Sequence, residues 1–457
     1  MATERVNNCA RKFEGALRLV PDQDKVLVDA LIRPLESATA FFRAQRAEGF
    51  YGSLTLGDDL PENGDSPHTI IRSNGEDRVY GYREIEPYRR YLRDIARRME
   101  DAVGVANDIN DPEKDLIEAS LRPRALALRE GKFTEAMILG LNTRLNPRYH
   151  LFVGLLDRYL DPRGLKLVMQ GWLQRVRPEE NRYFNDLAHQ ITRSNIPGFR
   201  VIYGDMLAAG GMTVDKSWNG NTIPSEDDIR KQVGADSYLF SNNMDESTKE
   251  VDIPAVRLYI PQVVQVSDWE ETMLRAKKKA FTAHETGHAE MPFDGETIKL
   301  LGGRYMAIKE LLAELFAVTE IAKLPRSVIS FSMKQLIYAR SLAVWRNGID
   351  KYLQETDPDK KAILEHYAWA GVWRTNHQER EGGVRMSENG MMSVPDWDRF
   401  VELDGDLSRE LLSAINHERY ERGFVDRVIG FNSRIPREYI DTNGNGNYDS
   451  LVGTSLG

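Results

Sequence analysis

The stretch Ala283-His284-Glu285-Thr286-Gly287-His288-Ala289 sets two histidines one helical turn apart with a glutamate beside the first. Residues four apart share a helix face, so His284 and His288 can turn both imidazoles toward one metal ion. Glu285 follows the first histidine and can take a proton from a water held on that ion. His-Glu-x-x-His suits zinc and hydrolysis. A zinc site needs a third protein ligand. Farther along, Lys309-Glu310-Leu311-Leu312-Ala313-Glu314 places two carboxylates one turn apart on a segment that is apolar almost all round, and hence buried. Buried carboxylates are costly unless they are paired or bound to metal. Buried arginines or histidines unrelated to any metal would answer that cost. So would zinc held by Glu310, with Glu314 accepting the free N–H of a ligand histidine. Following the histidine pair at this spacing, the second reading is favoured.

Two helices must position these groups. Ser267-Asp268-Trp269-Glu270 has the form of a capping box. It predicts a helix to Met291, with Pro292 ending it. Trp269, Met273, Ala276, Ala280, Ala283 and Gly287 form its packed face, and Lys277, Lys278 and Lys279 are expected outside. Gly287 costs about 1 kcal/mol relative to Ala in a helix, but lets another backbone approach closely. The second helix is expected over Arg304 to Leu324, with Pro325 as its stop. A third helix carries His366, which its own context does not single out. His377 and His417 are expected at the surface, and His68 and His189 give no signal.

The chain has 457 residues, 41% hydrophobic and 29% charged, with a formal net charge of −9. That is ordinary for a soluble globular protein and argues against a nucleic-acid partner, which needs a basic surface. Cys9 is the one cysteine, so no internal disulfide forms. The first residues hold no apolar core of signal-peptide length, and no stretch approaches 18 apolar residues. A cytoplasmic protein without a membrane partner is the expectation. Residues 10 to 48 read as helices, 51 to 68 as a loop, and the segment from Pro87 as a helix. On the latter, Arg89, Arg90, Arg93, Arg97 and Arg98 are read as a solvated face paired with neighbouring acids. An apolar run from Leu151 ends at the Asp161-Pro162 turn signal, and residues 176 to 195 read as helical. Val201-Ile202-Tyr203-Gly204 and Val256-Arg257-Leu258-Tyr259-Ile260 have strand composition. Between them, Ala208 to Asn243 is expected to be a long loop shaping an active-site cleft.

From about residue 149 to 429 the order of features resembles the dipeptidyl peptidase III family of zinc peptidases. Phe152 to Pro162 resembles the family's stretch ending in Tyr-x-Asp-Pro. Ile223-Pro224-Ser225-Glu226-Asp227-Asp228 is similar to its Ile-Pro-Asn-x-Asp-Asp loop. His284 to His288 resembles its histidine motif in the shorter form of some bacterial members. Lys309 to Glu314 resembles its Glu-Glu-x-x-x-Glu/Asp element. The resemblance implies a mainly α fold with a small β portion: a two-lobed, zincin-like metallopeptidase with an active-site cleft between the lobes. It implies Zn2+ on His284, His288 and Glu310, Glu285 as general base, Glu314 orienting a ligand histidine, and His366 assisting the transition state. Glu381-Gly382-Gly383-Val384 and Asp406-Leu407-Ser408 also follow the family's order.

Substrate-facing positions depart from the family. Where it has Glu-x-Tyr, to grip a peptide amino group and polarise the scissile carbonyl, this chain has His150 and Phe152. A phenyl ring donates no hydrogen bond, and an imidazole is a poor clamp for an ammonium group. Ser225 stands where the family has an Asn that binds the peptide backbone. The leading expectation is a zinc hydrolase acting on a small peptide. The alternatives are a metal-dependent enzyme acting on a small non-peptide molecule, such as a biosynthetic intermediate, and a non-catalytic zinc-binding homologue. Four regions are expected: 1–145 mostly helical, 146–265 mixed α/β, 266–435 helical and zinc-binding, and an Asn/Gly-rich tail over 436–457. In that tail Asp441 to Asp449 resembles part of a calcium loop, but Val452 stands where the loop needs Glu, so a flexible tail is expected.

Overall fold

Tyr149, Leu151 and Val153 alternate along the chain with His150 and Phe152, and both sets are buried. Successive strand residues point to opposite faces, so this segment is a strand covered on both sides. It belongs to a computed structural model that describes residues 15–47, 69–73, 76–80, 89–130, 147–161, 164–192, 198–212, 218–223, 234–265, 268–291, 305–356, 358–387 and 390–418, with 136, 139, 196, 230, 293, 297, 300 and 301. The chain forms two compact units, one from 1–185 and 196–243, the other from 186–195 and 244–457.

The first unit holds helix α1 (Lys25–Ala47), hairpin β1 (Thr69–Ser73) and β2 (Glu76–Tyr80), and helices α2 (Arg89–Asp108) and α3 (Lys114–Arg129). A five-stranded sheet follows: β3 (Tyr149–Asp161), β4 (Gly164–Val176), then, after helix α4 (Pro178–Ile191), β5 (Arg200–Gly211), β6 (Gly220–Ile223) and β7 (Asp236–Phe240). The strand order is β3-β4-β5-β7-β6, with β5 and β7 parallel and the other pairs antiparallel. One sheet face packs Tyr149, Leu151, Val153, Met169 and Leu173 against Leu35, Leu92, Ile95 and Leu121 of the helices. A Cβ at Gly210 would stand 2.5 Å from the backbone oxygen of Leu35, so α1 rests directly on strand backbone. The other face is an aromatic cluster around Phe152, Trp172, Tyr238 and Phe240. Phe152 stacks on Trp172 with ring centroids 4.4 Å apart, and such pairs add about 0.5–1.5 kcal/mol beyond area burial.

In its described residues, Ala208 to Asn243 is therefore not a long loop. It completes β5 and supplies β6, half-buried and opening with Gly220 and Asn221, and β7, buried throughout, both too short for their pattern to stand out. The arginine-rich face of α2 is paired as expected at two positions. Arg97 contacts Asp94 and Asp101 at 2.7 and 3.1 Å, and Arg98 contacts Glu36 and Asp94 at 2.8 and 3.2 Å.

The second unit is helical. After α5 (Ser241–Ser247), which begins at the unit boundary, a π-helical turn (Thr248–Asp252) leads into α6 (Ile253–Tyr259). The strand expected over Val256 to Ile260 is a helix. Pro254 sits in its first turn, where proline's missing N–H costs nothing, and Ile253, Val256 and Tyr259 bury one face. The unit continues with α7 (Trp269–Glu290), α8 (Tyr305–Lys323), α9 (Phe331–Gln354), α10 (Pro358–Arg380), the short pair β8 (Arg385–Met386) and β9 (Met392–Ser393), and α11 (Trp397–Glu418). Helices α7 and α8 match the sequence expectation closely, and α8 is buried along nearly its whole length. Ser267 and Pro292 lie outside the described residues, as do residues 51–68 and the 436–457 tail. His377 is buried rather than at the surface, at 6% exposed, because α10 is enclosed on its Arg374 side. There Arg374 Nε donates to Asp404 Oδ1 at 3.0 Å, and Gln378 Nε2 donates to the same oxygen at 2.8 Å. Among the described residues, no helix is long and apolar enough to cross a membrane.

Candidate metal centre

Helices α7 and α8 touch at Gly287. A Cβ there would stand 2.9 Å from the carbonyl oxygen of Ala313 and 3.0 Å from its Cα. Those are backbone atoms, so a side chain would have to force the helices apart. This contact adjoins both His288 and Glu314, and it sets the interhelical spacing on which the site depends. Gly287→Leu is expected to destabilise the fold by about 1–3 kcal/mol through overpacking and to weaken metal binding. Thermal unfolding and chelator competition would measure the two effects. Unchanged metal affinity would show that the spacing is unimportant.

Across this contact α7 presents His284 and His288, and α8 presents Glu310 and Glu314. The two rings have centroids 4.7 Å apart and planes at 84°. Nε2 of His284 lies 3.4 Å from one oxygen of Glu310, and Nε2 of His288 lies 3.5 Å from the other. Nδ1 of His284 contacts Glu314 Oε2 at 2.9 Å. A carboxylate can only accept, so Nδ1–H donates, and Nε2 is left as the atom for a metal. Glu285, between the two histidines, is 4% exposed.

The donor set fits a small cation. One ligand atom from each of His284, His288 and Glu310 can be chosen so that all lie within 4.8 Å of one another. Bonds of about 2.0–2.2 Å in tetrahedral geometry space the ligand atoms by about 3.3–3.6 Å. The 3.4 and 3.5 Å contacts, which run to the two different oxygens of Glu310, are of that size. Two imidazoles and one carboxylate leave a fourth position open, the pattern of a catalytic rather than a structural zinc site.

Electrostatics link the four groups. Burial opposes charge on His284, but its bonds to Glu310 and Glu314, and their charges, outweigh this and raise it from 6.5 to about 10. Burial would raise Glu310, yet the charge of His288 and the bond to His284 hold it well below the ordinary carboxylate range. Glu314 is lowered likewise against burial, by its bond to His284 and by the charges of His284, Arg340 and Arg374. For the metal-free protein the signs are definite. The raised His284 stabilises the fold fully below 6.5 and loses that contribution as pH rises through about 10. The depressed glutamates stabilise above 4.5 and lose that as pH falls. The metal-free melting temperature should therefore be highest between about 4.5 and 6.5 and decline toward pH 10. Bound metal replaces the proton on the ligand nitrogen, so the loaded protein should decline less. A melting temperature flat from pH 6.5 to 10 without metal would contradict this.

The structure brings together His284, His288, Glu310 and Glu314, with Glu285 buried on the turn between the histidines. His366 lies on α10, but its side chain is outside the described residues, as is the whole of Ser225. His150 and Phe152 belong to the first unit, each 4% exposed. The His150 ring meets Tyr238 edge-on at 5.3 Å. Three residues near the centre escaped the sequence reading: Arg340 on α9, Asp252 in the π turn and Lys277 on α7. Lys277 was expected outside but is 2% exposed. Its position two turns before His284, on one helix face, was the available signal.

No family model matches the chain, and no curated protein matches it. Solved structures do. The dipeptidyl-peptidase III of Corallococcus sp. strain EGB matches over 96% of each chain with a TM-score of 0.67 at 11% identity. That of Caldithrix abyssi matches over 99% of this chain and 96% of its own, with a TM-score of 0.60 at 13% identity. Over nearly its whole length, then, this chain has a dipeptidyl-peptidase III-like fold, mostly helical with a small mixed sheet.

Proposed function

We propose that the protein is a zinc-dependent hydrolase that cleaves a peptide or amide bond at the centre formed by α7 and α8. The observation that carries this reading is the convergence of His284, His288 and Glu310 within metal-ligand range, with buried Glu285 next to His284 in the chain. The dipeptidyl-peptidase III-like fold supports it. When bound, the metal acts as a Lewis acid and lowers the pKa of a coordinated water. Glu285 takes the proton from the attacking water and returns it to the leaving nitrogen. Glu314 holds His284 in the tautomer that keeps Nε2 free of a proton. His366, by the family resemblance, assists the developing oxyanion.

The test is metal content together with cleavage. The purified chain should carry about one zinc per molecule and cut members of a peptide library in a chelator-sensitive way. Absence of both stoichiometric metal and chelator-sensitive cleavage would sink the reading. A second reading, metal-dependent action on a small non-peptide substrate, is favoured by His150 and Phe152. Phe152 is stacked on Trp172 at 4.4 Å, and neither side chain reproduces the family's ammonium clamp or hydroxyl donor. Robust hydrolysis of a dipeptidyl-naphthylamide would exclude that alternative.

A further inference from the structure

Buried Lys277 opens a chain of alternating charges that ends on the metal centre. Lys277 Nζ lies 3.0 Å from Asp252 Oδ2, and Arg340 Nε donates to the same oxygen at 2.9 Å. Arg340 Nη1 lies 3.7 Å from Glu314 Oε1. The other Glu314 oxygen accepts from His284 Nδ1 at 2.9 Å. The side chains of Lys277, Asp252, Arg340 and Glu314 are 3%, 2%, 7% and 8% exposed. A second route joins the same ends, since Lys277 stands 5.3 Å over the Phe281 ring, which stacks on His284 at 5.5 Å and 18°.

We propose that Arg340 is a positioning residue of the metal centre. Backed by Asp252 and Lys277, it holds the Glu314 carboxylate with one oxygen turned to His284. It thereby fixes the ring whose Nε2 faces Glu310. The inference rests on the metal-dependent reading above.

A glutamate's terminal torsion is broad, so a carboxylate held on one oxygen can still swing. The Arg340 guanidinium, 3.7 Å from the second oxygen, opposes that swing through its charge. A lone buried guanidinium would be costly. Asp252 balances it, and Lys277 balances Asp252. These two cations and two anions balance one another within the network. The elements involved are distant in sequence: α7, α8, α9 and the π turn that ends at Asp252. Such wide turns recur at functional sites. A network that served only to tie helices together would have no need to end on a group that orients a ligand imidazole.

Arg340→Lys tests the proposal on the full-length chain. A lysine keeps the charge but has one nitrogen, so it meets Asp252 or Glu314 and not both. Zinc affinity by chelator competition should fall about tenfold, the low end for partners behind metal ligands. The visible spectrum of the cobalt(II)-loaded protein should shift. Arg340→Gln, which also removes the charge, should fall at least as far. Arg200→Lys is the control. It alters another buried pair, Arg200 with Asp236 in the first unit, and should lower melting temperature without touching zinc affinity or the cobalt spectrum. If the wild-type chain takes up no stoichiometric zinc, the metal reading fails and the inference with it. If the wild type binds zinc and both Arg340 variants bind as tightly with an unchanged spectrum, the inference alone fails. Affinity lost only in step with fold stability, with the cobalt spectrum unchanged, would mark a merely structural role and overturn it too.

Discussion

Glu285→Gln is expected to lower turnover by about 10²–10⁴-fold, the range for removing a general base, while zinc content stays at the wild-type level. The amide has nearly the shape of the carboxylate, so the 4% exposed position should accept it. It has no basic oxygen for a proton at neutral pH. The candidate metal donors are His284, His288 and Glu310, and Glu285 is not among them. Activity and metal content should therefore separate. The measurement is kcat on whichever peptide the library digest identifies, alongside metal analysis of the same sample. Full activity in the variant would move the base elsewhere. Loss of metal together with activity would make Glu285 part of the ligand set. A wild type with metal and no turnover on any substrate class would support the non-catalytic reading instead.

This prediction was available before any coordinates, because the metal centre is built from local periodicity. His284 and His288 share a face through the helical repeat alone, as do Glu310 and Glu314. Both helices end within two residues of the expected limits, although Asp268 precedes α7 at a φ of 62° without a side-chain capping bond. Even the role of Gly287 was legible, since a glycine inside a helix has a cost that close backbone contact explains. What joins the two helices is a long-range contact, and sequence periodicity carries no such information. Arg340 and Asp252 were missed for that reason. Each reaches Glu314 or its partners across a large separation in sequence, and neither sits in a recognisable spacing.

The sheet was less legible than the helices. β3 over residues 149–154 and β4 over residues 169–174 are buried on both faces, so they lack the polar alternation that marks a half-exposed strand. Val201 to Gly204 was recognisable from β-branched and aromatic content. The same criterion misread Val256 to Ile260, where Pro254 and the three-residue spacing of Ile253, Val256 and Tyr259 override intrinsic preference. Val and Tyr report burial as much as strand geometry. His150 and Phe152 were read as substrate contacts from the family resemblance. Their packing into the aromatic face with Trp172 and Tyr238 depends on sheet register, which composition does not reveal.

Glu310→Gln and Glu314→Gln should separate the ligand from the group that orients it. Glu310 faces both ligand nitrogens, at 3.4 and 3.5 Å. Glu314 faces Nδ1 of one histidine and Arg340. Replacing Glu314 removes a charge from behind His284 but leaves an amide oxygen able to accept the same N–H, so metal affinity should fall by about 10–100-fold. Replacing Glu310 removes the anionic ligand itself, and the loss should exceed about 100-fold, the upper bound for partners outside the ligand set. A neutral amide oxygen at Glu310 cannot offset two charges on the cation, and the remaining imidazoles contribute no negative charge. Both variants keep the volume of the wild-type side chain, so a difference between them reports coordination rather than packing. Chelator competition on the two proteins, with the melting temperature of each metal-free form as control, decides the order. The reverse order, with Glu314→Gln the more damaging, would place the carboxylate ligand one helical turn farther along α8 and would require His284 to bind through Nδ1.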